Sequence, residues 1–140
     1  GSLLPQMTKP TKRLPDWMCR LDAFVQSVWT KPFEWGQNDC CTVAAGVVLA
    51  CTGVDAMADL KGQYDTELGA ARLLKRLGSL DRVLSERIGP CVPVAMAQPG
   101  DIGLCDDGRL VFCGGAHWKG PGDHGLVTTT EPVKVWRCHE

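Results

Sequence analysis

Phe33-Glu34-Trp35-Gly36-Gln37-Asn38-Asp39-Cys40-Cys41 runs without a break into the apolar stretch 42–51. Cys40, Val43, Ala44, Val47, Val48 and Cys51 fall at the three-and-four spacing of one helical face, and Gly53 stands just beyond as a stop. The spacing predicts a buried helix over 39–52. Asn38 or Asp39 caps it, because either side-chain oxygen can accept the unpaired backbone N–H groups of the first turn. Cys40 then sits in that turn, where the helix dipole and the free N–H groups favour thiolate over thiol. A sharp step at Trp35-Gly36 would leave the sulfur facing a cleft. The competing reading makes Cys40 and Cys41 small buried hydrophobes, the usual state of a free cysteine.

Upstream, Trp17, Leu21, Phe24, Val25 and Val28 recur at helical spacing, so 15–29 is predicted as an amphipathic helix that Thr30-Lys31-Pro32 ends. Trp17 and Trp29 are expected in its packed face. Downstream, 55–60 reads as a short helical turn and Gly62-Gln63-Tyr64 as a link. Thr66 caps a helix over 66–77, with Leu68, Ala71, Leu74 and Leu77 on its buried side and Gly78 closing it. Arg72, Lys75 and Arg76 lie toward its C-terminal end as a solvated face. A further short helix is expected over 80–88, where Gly89-Pro90 breaks the chain.

From Cys91 the texture changes to short runs broken by Gly, Pro and Asp. The strand candidates are 92–96, 102–104, 110–113, 126–129 and 133–137, with Asp106-Asp107-Gly108 as a hairpin turn. Helices first and strands second predict an α+β domain, its N-terminal helices packed on a C-terminal antiparallel sheet. Gln98-Pro99-Gly100-Asp101 is a turn into the first long strand, and Asp101 is read as structural.

The 140 residues, 44% hydrophobic and 22% charged, suit one globular domain. A net charge of −1 gives no electrostatic basis for a nucleic-acid partner. The longest apolar run, 43–51, is too short for membrane insertion. Eight cysteines without a Cys-x-x-Cys pair do not suggest a disulfide framework. Gly1-Ser2 reads as a tag remnant and Met7 as a native start, with no apolar run of the signal-peptide kind. The expected organisation is a tag and flexible leader over 1–13 and a single domain over 14–140, made in a reducing cytoplasm with free thiols.

The aromatic-x-Trp-Gly segment, Asp39-Cys40 opening an apolar helix, the later Pro99-Gly100-Asp101 and the later His124-Gly125-Leu126-Val127 together resemble the NlpC-type cell-wall peptidases, which are papain-like cysteine enzymes. The resemblance covers 29–137 and is nearest to an uncharacterised branch found in phage and prophage tail gene clusters. It implies a papain-like fold and Cys40 as nucleophile, with Trp35 and Asp39 at the substrate groove. It further implies a peptidoglycan stem peptide as substrate, phage tail proteins as partners, no cofactor, and a place in the host cytoplasm during synthesis and then in the virion tail. This chain departs from the family pattern at Cys41-Thr42, where Ser-Gly is usual, and at Phe33, where Tyr is usual. Its His124-Gly125-Leu126-Val127 is one residue shorter than the family's His-x-Gly-Ile.

A thiolate peptidase needs an imidazole in hydrogen-bond reach to hold the proton and return it to the leaving amine. His124 precedes a predicted strand and is the first candidate base. His117, before Trp118 in a Gly-rich loop, is the alternative. His139 lies beside the C-terminus and is set aside, and no orienting residue can be read. The imperfect histidine motif favours a second reading, a catalytically degenerate tail-tip or tail-assembly protein with the same fold. A zinc site drawn from Cys91, Cys105, Cys113, His117 and Cys138 has suitable ligand types. Their spacing matches no finger or ribbon pattern, so no metal is expected.

Overall fold

The computed structural model describes Pro10 and residues 12–139. It is an α+β chain in which four α-helices precede and cover a six-stranded antiparallel sheet. Most of the leader, residues 1–9 and 11, lies outside the described residues. Where the chain becomes describable, Arg13 lies 4.0 Å over the Trp17 ring and donates to Gln98 at 3.2 Å, while the Leu14 N–H donates to the Cys51 carbonyl at 2.8 Å.

Helix α1, Trp17–Val28, buries Leu21 and Val28 and leans Trp17, Phe24 and Val25 on the core. Trp29, expected in that packed face, is 51% exposed, because the helix has ended and the residue turns outward. Helix α2, Cys40–Thr52, is the central strut: Val43, Ala44, Ala45, Val47, Val48 and Cys51 are all buried. A helix apolar on nearly every side belongs inside a fold, and α2 is packed between α1 and the sheet. Gly53 ends it at φ 77°, the left-handed conformation that glycine adopts without a Cβ clash.

After a 3-10 turn at Ala58–Leu60, helix α3, Glu67–Leu77, starts from Thr66, whose hydroxyl accepts from the Gly69 N–H at 3.0 Å. Its buried side differs from the expectation. Leu73 is buried and Leu68 is 59% exposed, so the apolar stripe is rotated relative to the 68–71–74–77 row. Helix α4, Leu80–Arg87, follows from the Ser79 cap and buries Val83 and Leu84.

The strands are β1 (Cys91–Val92), β2 (Ile102–Leu104), β3 (Leu110–Cys113), β4 (Trp118–Gly122), β5 (Gly125–Thr128) and β6 (Lys134–Trp136), in the order β1-β6-β2-β3-β4-β5. Of the expected strand 92–96 only the start pairs. Pro93 has no N–H to give the ladder, and Val94–Met96 coils into a 3-10 turn. The unexpected strand is β4, whose Gly120-Pro121-Gly122 carries loop chemistry yet pairs with β5 from Lys119↔Thr128 to Gly122↔Gly125. Asp101 is 1% exposed and binds Arg137 of the chain after β6 at 3.0 Å and the Gln98 N–H at 2.9 Å, which locks the Pro99-Gly100 turn to the sheet. Trp136, Phe112, Ile102 and Leu110 fill the sheet side of the core. No helix among the described residues is long and apolar enough to cross a membrane.

Candidate functional site

The head of α2 is built by one carboxylate. Asp39 is the N-cap in extended conformation, and its Oδ1 accepts from the Thr42 N–H at 2.9 Å while the Thr42 hydroxyl accepts from the Asp39 N–H at 2.8 Å. That reciprocal pair satisfies two otherwise orphaned donors. The other oxygen, Oδ2, accepts from the Gly36 N–H at 2.8 Å and from the Tyr64 hydroxyl at 2.6 Å. Asp39 is 1% exposed, so every one of these bonds is made in a dry setting. Gly36 stands at φ 82°, and a Cβ there would meet the Tyr64 carbonyl oxygen at 2.4 Å. Asn38 donates to the Lys31 and Pro32 carbonyls at 3.2 and 3.1 Å, which holds the approach to the helix.

Cys40 is half-buried in the first turn, beside Cys41. The adjacent Cys41 thiol favours the Cys40 thiolate and holds its pKa below that of an ordinary thiol; burial opposes this, the nearby Leu110 backbone assists it, and the Asp39 charge works against it. Cys41 is driven the other way: a thiol that donates to its neighbour, in a buried place, keeps its proton. Tyr64 is also pushed up, first by burial and then by its bond to Asp39. Tyr64 spends its one proton on Asp39, and Cys41 is the thiol next to the Cys40 sulfur.

The two thiols open on a cavity of about 420 Å³. Trp35, Asp39 and Tyr64 line it with them, α3, α4 and the 3-10 turn supply Leu60, Leu73, Leu74, Leu77 and Val83, and Lys61, Glu67 and Asp107 also reach the lining. Cys40, Asp39 and Trp35, all singled out from the sequence, are therefore brought together in one place. The three histidines do not join them in the lining. His117 is exposed in the loop joining β3 to β4, and His124 is exposed in the Asp123-His124 turn, directly before β5. His139 follows the sheet, next to buried Cys138. From the sheet, β3 and β4 pack on α2, and the Leu110 backbone at the start of β3 lies near Cys40.

Sequence reasoning missed Tyr64, which it left in a link. Nothing local marks it, since its bond to Asp39 spans 25 positions of chain. It also missed Cys41 as a partner of Cys40; adjacent cysteines at a helix start were the available signal. The five residues of the zinc reading do not converge, and among the described residues no three His, Cys, Asp or Glu side chains group as metal ligands.

Residues 12–138 match the family model described as a domain of unknown function, DUF6950, and the chain belongs to that family. No curated protein and no solved structure matches the chain.

Proposed function

We propose that this member of the DUF6950 family is a papain-like, NlpC-related component of a phage tail that keeps the cysteine-headed helix of a peptidase but does not cleave peptide bonds. One observation carries this reading: no histidine lines the cavity on which Cys40 opens, and both candidate bases, His124 and His117, lie in exposed hairpin loops. An amine is expelled from a tetrahedral intermediate only when something protonates it, and the cavity lining offers no imidazole for that. The preserved part is architectural. A capped helix end, a locked Asp39 and a sheet packed across from it suit a domain that serves in the virion tail by assembly, with tail proteins as its partners.

The working peptidase is a second reading that one observation favours, the thiol of Cys40 being held low by Cys41. In that case Cys40 attacks a stem-peptide carbonyl, and His124 or His117 must reach it. The two readings differ in measurable ways. A purified tail component releases no fragments from peptidoglycan, and the pH profile of Cys40 alkylation is the same in wild type, His117→Ala and His124→Ala. Release of muropeptides that stops in Cys40→Ala, or a histidine variant that moves the profile, overturns the assembly reading in favour of the enzyme.

A further inference from the structure

We infer that Cys40 is an acyl acceptor: it takes a medium-length acyl group from an acyl thioester and holds it as a thioester, with the chain lying in the leucine-walled cavity behind it. The inference rests on the reading that this site works without a histidine. It begins from the mismatch between the cavity and a stem peptide. A peptide brings main-chain amides, each of which must find a partner or be buried at a cost. The wall formed by Met57, Leu60, Leu73, Leu74, Leu77 and Val83 presents only hydrocarbon side chains. Polar side chains are the minority of the lining: Cys40, Cys41 and Tyr64 meet the cavity at the helix head, and Lys61, Glu67 and Asp107 are the further charged residues that reach it. A predominantly apolar lining with a few polar groups is the pattern of a small-molecule pocket, and about 420 Å³ lies within the usual range of roughly 300–1,000 Å³. At about 30 Å³ per heavy atom, the share of a water molecule in the liquid, that space takes a chain of about a dozen atoms.

The chemistry fits the same surroundings. The Cys40 thiolate attacks the carbonyl carbon of the donor thioester, a new carbon–sulfur bond forms, and the old carbon–sulfur bond breaks. The donor leaves as a thiolate and takes a proton from water. The acyl group passes from one sulfur to another with no change of oxidation state. A thiol leaves readily as its anion, since its ordinary pKa is only about 8.5, whereas an amine does not. An exchange between sulfurs therefore proceeds where amide cleavage stalls. Cys40 stands in the first turn of α2 with its sulfur on the cavity, and the adjacent Cys41 thiol favours its thiolate.

The test uses the full chain with octanoyl- and acetyl-coenzyme A as probes, read by intact mass and peptide mapping. One octanoyl group is expected on Cys40, released by neutral hydroxylamine, and absent from Cys40→Ser. Octanoyl transfer should exceed acetyl transfer by about tenfold or more, because the further methylenes are buried against leucine. Ala70→Phe, which fills the cavity, should abolish that preference while iodoacetamide still alkylates Cys40 at the wild-type rate, which shows the fold and the thiol intact. Equal rates for the two donors, or label on exposed Cys19 or Cys91 instead, overturns the proposal. Muropeptide release by the wild type would sink the assembly reading beneath it; no release and no octanoyl transfer sinks the acyl-acceptor proposal alone.

Discussion

Asp39→Asn separates a helix cap from a buried junction. Asparagine caps a helix as well as aspartate does, so a role confined to capping predicts no change in stability. The geometry predicts a large one. With its carbonyl kept toward the Thr42 N–H, the new amide group turns an NH2 on the Gly36 N–H and the Tyr64 hydroxyl, which now meet the former Oδ2 at 2.8 and 2.6 Å. The hydroxyl can rotate and accept; the Gly36 N–H cannot. Flipping the amide rescues Gly36 and orphans the Thr42 N–H instead, now bonded at 2.9 Å. Either way one buried N–H is left without a partner, at about 1–3 kcal/mol, and the Tyr64 bond loses its charge assistance, at about 1 kcal/mol more. The expected loss is about 2–4 kcal/mol. Urea unfolding followed by far-UV circular dichroism reads it as a midpoint lowered by about 1–2 M with the slope unchanged, for a slope of about 2 kcal/mol per molar. Tyr64→Phe completes a double-mutant cycle, whose coupling should be about 1 kcal/mol or more. A midpoint for Asp39→Asn within about 0.3 M of wild type would refute the reasoning.

Cys41→Ala removes the first of the groups that favour the Cys40 thiolate. Iodoacetamide alkylation of Cys40 near neutral pH should slow about tenfold, taking about 1.4 kcal/mol for a thiol donating to a thiolate, and an unchanged rate means that Cys41 plays no such part. Alkaline pH should unfold the chain in a defined window. Burial, aided by the neighbouring Cys138, pushes the Cys51 thiol from 9.0 up to about 12. Its folded value lies above its unfolded one, so the stabilising share is complete below pH 9, declines as the pH climbs, and is gone once the folded value is passed. The slope from this one group is about 1.4 kcal/mol per pH unit, and Cys51→Ala should flatten the stability curve above pH 9 by that amount when urea midpoints are followed against pH. A curve as steep in the variant as in wild type removes Cys51 from the account.

What the sequence by itself determined is the local part. The row from Cys40 to Cys51 has one helical solution, its cap and its glycine stop stand within the same fifteen residues, 39–53, and Asp39-Cys40 could be placed at its head from spacing alone. The helix starts at Thr66 and Ser79 were also open to reading in kind, because a cap acts over three residues. The rotation of α3 that buries Leu73 and frees Leu68 was not, since several leucine rows satisfy the helical period and only the neighbours choose among them. Nor was β4: Gly120 and Pro121 disfavour a strand locally, and pairing with β5 across the Asp123-His124 turn overrides that preference. The same override decided the site. Whether His124, His117 or no histidine faces Cys40 depends on where a hairpin ends and on which strand of the sheet abuts the helix, both set by long-range pairing. The answer, a cavity lining without a histidine and Tyr64 reaching Asp39 from 25 positions away, is a property of tertiary packing that no pattern along the chain encodes.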